Sequence, residues 1–172
     1  MRLFIALPLP EEVRAAALGG IAALRRQGIS ANFTRPENLH VTLAFIGESN
    51  RTDALRRCID GACGAPFALE TAAPGRFGEL IWLGVRVSPP LAALERRLRA
   101  ALSAEGFAVD SRAFRPHITL ARGAGNAAPP EVAKSAGIAE AVSLMKSERA
   151  GGRLVYTALY TRRMEAEGAR GV

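Results

Sequence analysis

Leu3–Leu7 is a short apolar run closed by Pro8 and Pro10, and it predicts a strand over Arg2–Leu7. Pro8–Glu12 then places proline and acids in the first turn of a helix. Val13, Ala17, Ile21 and Leu24 recur on one face of that helix, and Gly28 ends it. Ala31–Asn38 is irregular, with Arg35-Pro36 forcing an extended entry into a strand over Leu39–Ile46 that Gly47 stops. A second helix follows from Thr52 to Cys63, with Leu55, Cys58, Ile59 and Ala62 on its apolar side.

The second half starts from Phe67, Leu69 and Thr71, which alternate as a strand up to Pro74-Gly75. Leu80–Val87 is the next strand and carries the only tryptophan, Trp82. Ser88-Pro89-Pro90 opens a helix with Leu91, Leu94, Leu98 and Leu102 inward and Glu95, Arg96, Arg97 and Arg99 outward, ended by Gly106. A strand through His117 comes next, then a Gly123–Pro130 loop and a short helical stretch near Glu131–Ala136. Ile138–Ser147 and Arg153–Arg163 read as a hairpin turned at Gly151-Gly152, and Glu165–Val172 reads as a fraying end. Strand, helix and motif strand occur in the same order in both halves. The expected fold is therefore α+β: one domain, residues 1–172, of two similar lobes related by an approximate two-fold. Each lobe has an antiparallel sheet with helices outside, and an active cleft lies between the lobes.

The pattern repeats in detail at one place. His40-Val41-Thr42-Leu43 and His117-Ile118-Thr119-Leu120 share a tetrapeptide form, and they contain both histidines of the chain. Strand side chains alternate between faces, so each copy buries an apolar pair and presents an imidazole beside a hydroxyl. Two imidazoles on one site divide acid and base work, since an ordinary histidine titrates near working pH. Threonine hydroxyls roughly 7 Å along the same strand face reach phosphate oxygens. The pair suits in-line displacement at phosphorus. Two histidines are too few for a zinc site, no Asp, Glu or Cys stands at ligand spacing, and Asp110 is the closest acid to His117.

Composition changes this picture little. Hydrophobic residues make up 49% and charged residues 23% of 172 residues, as in a soluble globular protein. No apolar run approaches the roughly 20 residues that cross a bilayer. The N-terminus does not read as a signal peptide, so a cytoplasmic protein is expected. Cys58 and Cys63 match neither redox nor zinc spacing and read as packed thiols. The net charge is +7, and every basic residue except Lys134 and Lys146 is arginine. That balance favours a polyanion such as nucleic acid, although the Ala, Gly and Arg bias of the whole chain accounts for it equally.

The two motifs resemble the signature of the 2H phosphoesterase superfamily, and within it the RNA 2',3'-cyclic phosphodiesterases, also called 2'-5' RNA ligases. Arg2–Leu7 with Leu9-Pro10, Asn38–Glu48, Ile81–Val85, Arg115–Arg122 and Val155-Tyr156 are each similar to blocks of that family. The resemblance implies metal-independent and cofactor-free hydrolysis, by a monomer, of an RNA or nucleotide 2',3'-cyclic phosphate to a 2'-phosphate. It casts His40 as proton donor and His117 as proton acceptor, although the symmetry of the motifs makes the roles interchangeable on paper. Thr42, Thr119 and Arg122 would hold the phosphate. Strand alternation turns Arg122 toward the core unless the strand ends or bulges by Ala121. Phe45 has the same alternation and reads as core, as do Phe4 and Tyr156, although either of the latter could stack a base. The alternatives are the reverse reaction, 2'-5' RNA ligation, and a non-catalytic RNA- or nucleotide-binding module.

Overall fold

A computed structural model describes residues 1–166. The expected fraying of Glu165–Val172 falls largely outside them. Two antiparallel sheets carry the architecture. The four-stranded sheet has the order β3-β1-β8-β9, with β1 at Arg2–Pro8, β3 at His40–Glu48, β8 at Ala141–Ala150 and β9 at Arg153–Arg163. The five-stranded sheet has the order β2-β6-β5-β4-β7, with β2 at Asn32–Phe33, β4 at Phe67–Phe77, β5 at Leu80–Val85, β6 at His117–Arg122 and β7 at Ala136–Ala139. In each half a strand, a helix and a motif strand follow one another, and the two strands pair antiparallel: β1 with β3, β5 with β6.

Among the described residues three α-helices cover these sheets, α1 over Glu11–Arg26, α2 over Thr52–Ala62 and α3 over Pro89–Ala104. One helix crosses over between the sheets. α1 follows a strand of the four-stranded sheet but packs on β6, β7 and β4 of the other. Gly20 permits this: a Cβ there would lie 3.1 Å from Leu120 of β6 and from Val132. α2 in turn lies on β8 and β9, with α3 beside it. Buried Val13, Ala17, Ile21 and Leu24 of α1 therefore share one apolar core with Leu3, Ile5 and Leu7 of β1 and with Ile118 and Leu120 of β6. Burial of this kind stabilises by roughly 25 cal/mol per Å² of apolar surface.

Several expectations need correction. β3 runs past Gly47 to Glu48, because Gly47 takes φ +81° within the strand. β4 runs through Pro74-Gly75, because its register breaks between Thr71 and Pro74 and no ladder bond is asked of the proline. Residues 131–135 are not helical, and Ala136–Ala139 pairs with β4 instead. Ile138 thus belongs to β7, and the hairpin begins at Ala141. Its turn at Gly151-Gly152 is as expected, with φ +57° and +77°. Glu95 is buried rather than outward, and its carboxylate takes both Nε and Nη2 of Arg99 at 2.9 and 2.6 Å. No helix among the described residues is long and apolar enough to cross a membrane.

Candidate active site

β3 is an edge of its sheet and lies beside β6 of the other. Along β3, Val41 and Leu43 are buried while His40 and Thr42 remain partly exposed; along β6, Ile118 and Leu120 are buried while His117 and Thr119 remain partly exposed. The two rings are held alike. His40 Nδ1 meets the carbonyl of Asn38 at 2.6 Å, and His117 Nδ1 meets that of Arg115 at 2.7 Å. A carbonyl only accepts, so Nδ1 carries a proton in both rings. In the neutral rings Nε2 is then a free base, and in the protonated rings it is the acid. Thr42 Oγ1 lies 2.9 Å from His40 Nε2.

The charge of His117 is felt at His40. Burial, above all, pushes the His40 pKa below its ordinary value, and the charges of His117 and Arg122 push the same way against the Asn38 carbonyl. His40 packs 4.9 Å from the Phe4 ring and 5.3 Å from Tyr156. His117 packs 5.5 Å from Phe77 and 6.1 Å from Trp82. Burial raises the Tyr156 hydroxyl, while Arg122 and Arg2 pull it back. A recess of about 110 Å³ opens beside His40, between Pro8, Asn38, Met145 and Tyr156.

Arg122 reaches this region because β6 bulges. Trp82 faces Thr119 and Ile81 faces Ala121, which leaves Leu120 as an extra residue. An extra residue reverses the alternation, so Leu120 and Ala121 are both buried and Arg122 is exposed. β3 does the same at the equivalent leucine. Ala6 faces Thr42 and Ile5 faces Ala44, which leaves Leu43 over. Phe45, expected in the core, is accordingly 74% exposed. Phe4 is buried as expected, whereas Tyr156 is only partly so.

Comparisons with known proteins place nearly the whole chain beside one family. Residues 9–150 match the 2'-5' RNA ligase superfamily. The chain belongs to that superfamily. It is 34% identical over 169 residues to the RNA 2',3'-cyclic phosphodiesterase of Escherichia coli, covering 92% of this chain and 93% of that one. It is also 34% identical over 143 residues to the protein of that name from Geobacillus stearothermophilus, covering 77% of this chain but spanning only 46% of its longer relative. The crystal structure of E. coli LigT complexed with 3'-AMP superposes with a TM-score of 0.80 at 30% identity, covering 95% of this chain and 97% of that one.

Reading the sequence missed three neighbours of the superfamily motifs. Phe77 and Trp82 flank His117, and Gly75 makes room for the indole, since a methyl group there would overlap it. The Pro74-Gly75 pair, taken as the end of a strand, concealed Phe77. Asn38 is 7% exposed and donates through Nδ2 to the Leu154 carbonyl at 3.0 Å. Among the described residues no three His, Cys, Asp or Glu side chains are grouped to hold a metal. Asp110 pairs with Arg112 and is pulled down to about 2 by it.

Proposed function

We propose that this protein hydrolyses RNA or nucleotide 2',3'-cyclic phosphates to 2'-phosphates without a metal ion. It would act as a monomeric single domain of two similar lobes, in the cytoplasm. The observation that carries this reading is the matched pair of histidines, each with Nδ1 fixed to a backbone carbonyl and Nε2 left for proton transfer. The relatives' names and the complex of E. coli LigT with 3'-AMP support a nucleotide as the ligand.

In this reading His117 Nε2 takes the proton of the attacking water, and His40 Nε2–H gives its proton to the departing 3' oxygen. Thr42 turns its hydroxyl from His40 to a non-bridging oxygen, Thr119 takes another, and Arg122 adds charge. Burial first, and then the charges of His117 and Arg122, hold the His40 pKa below its ordinary value in the empty site. An entering phosphate anion offsets both charges and so favours the protonated ring where substrate is bound. Exposed Phe45 and partly exposed Tyr156 offer rings for a base.

Turnover of an oligonucleotide with a cyclic-phosphate end tests the proposal. His40→Ala and His117→Ala should each lower the rate about 10²–10⁴-fold. The product should carry a 2'-phosphate, and chelator should leave the rate unchanged. Tight, salt-dependent RNA binding without turnover would instead establish a binding module.

A further inference from the structure

On the cleft face of the four-stranded sheet the side chains stand in rows. Leu3, Ile5 and Leu7 of β1 turn into the core, so Arg2, Phe4 and Ala6 face the other way, with the Phe4 ring 4.9 Å from that of His40. Ala6 faces Thr42 on β3, and Phe4 faces Phe45. The next row holds Arg2, with Ser147 of β8 opposite it and Tyr156 of β9 beyond. Arg2 therefore lies roughly 13 Å along β1 from Ala6, past the two phenylalanines. It is exposed, and among the described residues its side chain makes no hydrogen bond or ion pair. Glu48, the acid facing it on β3, is turned to the Met1 amino group at 3.1 Å. Burial raises the Tyr156 hydroxyl, and the charges of Arg122 and Arg2 both pull it back, so both guanidiniums act on the cleft at that ring.

In an in-line displacement the nucleophile and the leaving oxygen occupy opposite sides of phosphorus. With His117 as acceptor and His40 as donor, the leaving 3' oxygen and its ribose lie on the His40 side, over these rows. A 2',3'-cyclic phosphate closes one edge of that ribose. The base and the 5' carbon leave from the opposite edge, so both extend away from the histidines. The base meets the row of Phe45, and the 5' oxygen is carried toward the row of Arg2. Arginine presents a planar fork of N–H donors that matches the oxygens of a phosphate. We infer that Arg2 holds the phosphate on the 5' side of the terminal ribose, so that this site selects 2',3'-cyclic ends carrying a 5'-phosphate group over a nucleoside 2',3'-cyclic phosphate. The inference rests on the proposed roles of His40 and His117. Arg2 binds the neighbouring phosphate and leaves the reacting phosphorus to the histidines, threonines and Arg122.

The test compares kcat/KM for a nucleoside 2',3'-cyclic phosphate, for the same compound with a 5'-phosphate, and for a dinucleotide ending in it. Either 5' phosphate should raise kcat/KM about 10-fold in the native protein, the order of one exposed charge-assisted contact. Arg2→Met should bring that ratio close to one, and Arg2→Lys should keep part of it. Arg122→Met should lower kcat/KM for all three substrates while holding the ratio, because Arg122 serves the reacting phosphate. A dinucleotide with a neutral methylphosphonate link should lose the gain in the native protein. A ratio near one in the native protein overturns the inference while leaving the proposed function intact. So does a ratio that Arg2→Met leaves unchanged, or a gain that survives the neutral link. Native protein that turns over none of the substrates removes the proposed function itself.

Discussion

Asn38 and Leu154, 116 positions apart, are joined by one part-buried hydrogen bond, from the Asn38 side-chain amide to the Leu154 carbonyl at 3.0 Å. The same residue's own carbonyl anchors His40 Nδ1. The β8–β9 hairpin and the His40 ring are thus fixed through a single residue. Arg115, its counterpart before His117, supplies only the carbonyl contact among the described residues.

Removing the amide leaves the Leu154 carbonyl without its donor. Asn38→Ala should lower stability by about 1–3 kcal/mol, the usual cost of an unpaired buried polar group. Asn38→Asp keeps the shape but presents an acceptor to an acceptor, and should be at least as damaging at neutral pH. Urea denaturation of both variants checks this, and native stability in Asn38→Ala would show the bond to be dispensable.

The acid and base roles are separable by pH. The His40 pKa lies below 6.5 chiefly through burial, and the Arg122 charge lowers it further. Arg122→Met removes one depressing charge, so the His40 pKa should rise. With His40 as donor, kcat/KM falls as the His40 of the free protein loses its proton with rising pH, so its titration appears on the alkaline limb. That limb should move to higher pH in Arg122→Met. Movement of the acidic limb instead would make His40 the acceptor.

Thr42→Val and Thr119→Val keep branching and volume while removing one hydroxyl each. Loss of a donor to phosphate oxygens should lower kcat/KM about 10²-fold, as for other preorganised donors to developing charge. Steady-state kinetics on a nucleoside 2',3'-cyclic phosphate, with circular dichroism to check folding, measures it. An unimpaired Thr42→Val would reduce Thr42 to a partner of His40 alone.

Gly84 faces His117 across β5 and β6, and a Cβ there would sit 2.6 Å from the Ala73 carbonyl. That oxygen belongs to backbone and yields little. Gly84→Ala should destabilise by about 1–3 kcal/mol, the range for overpacking, with a lower melting temperature as the readout.

Much of this was legible in the chain itself. Helices α1 and α3 were marked by apolar spacing together with proline starts and glycine stops, and α2 by its apolar spacing, signals that act within a few residues. The histidines were legible because a repeated tetrapeptide concentrates both of them. The extent of β4 was not, because Pro74 signals a break and only the register slip beside it shows how the strand absorbs one. Glu95 was misread because helical spacing places it beside an apolar stripe without revealing that Arg99 closes over it.

Local sequence determined that two strands would each present a histidine and a threonine on one face, since alternation is a property of the extended backbone alone. Tertiary structure decided what stands beside them. Whether Arg122 and Phe45 face the core or solvent turns on one extra residue at Leu120 and Leu43, and a bulge exists only relative to the partner strand it fails to match. The same holds for Asn38, Phe77 and Trp82, whose contacts join segments that come together only when the two sheets share one core.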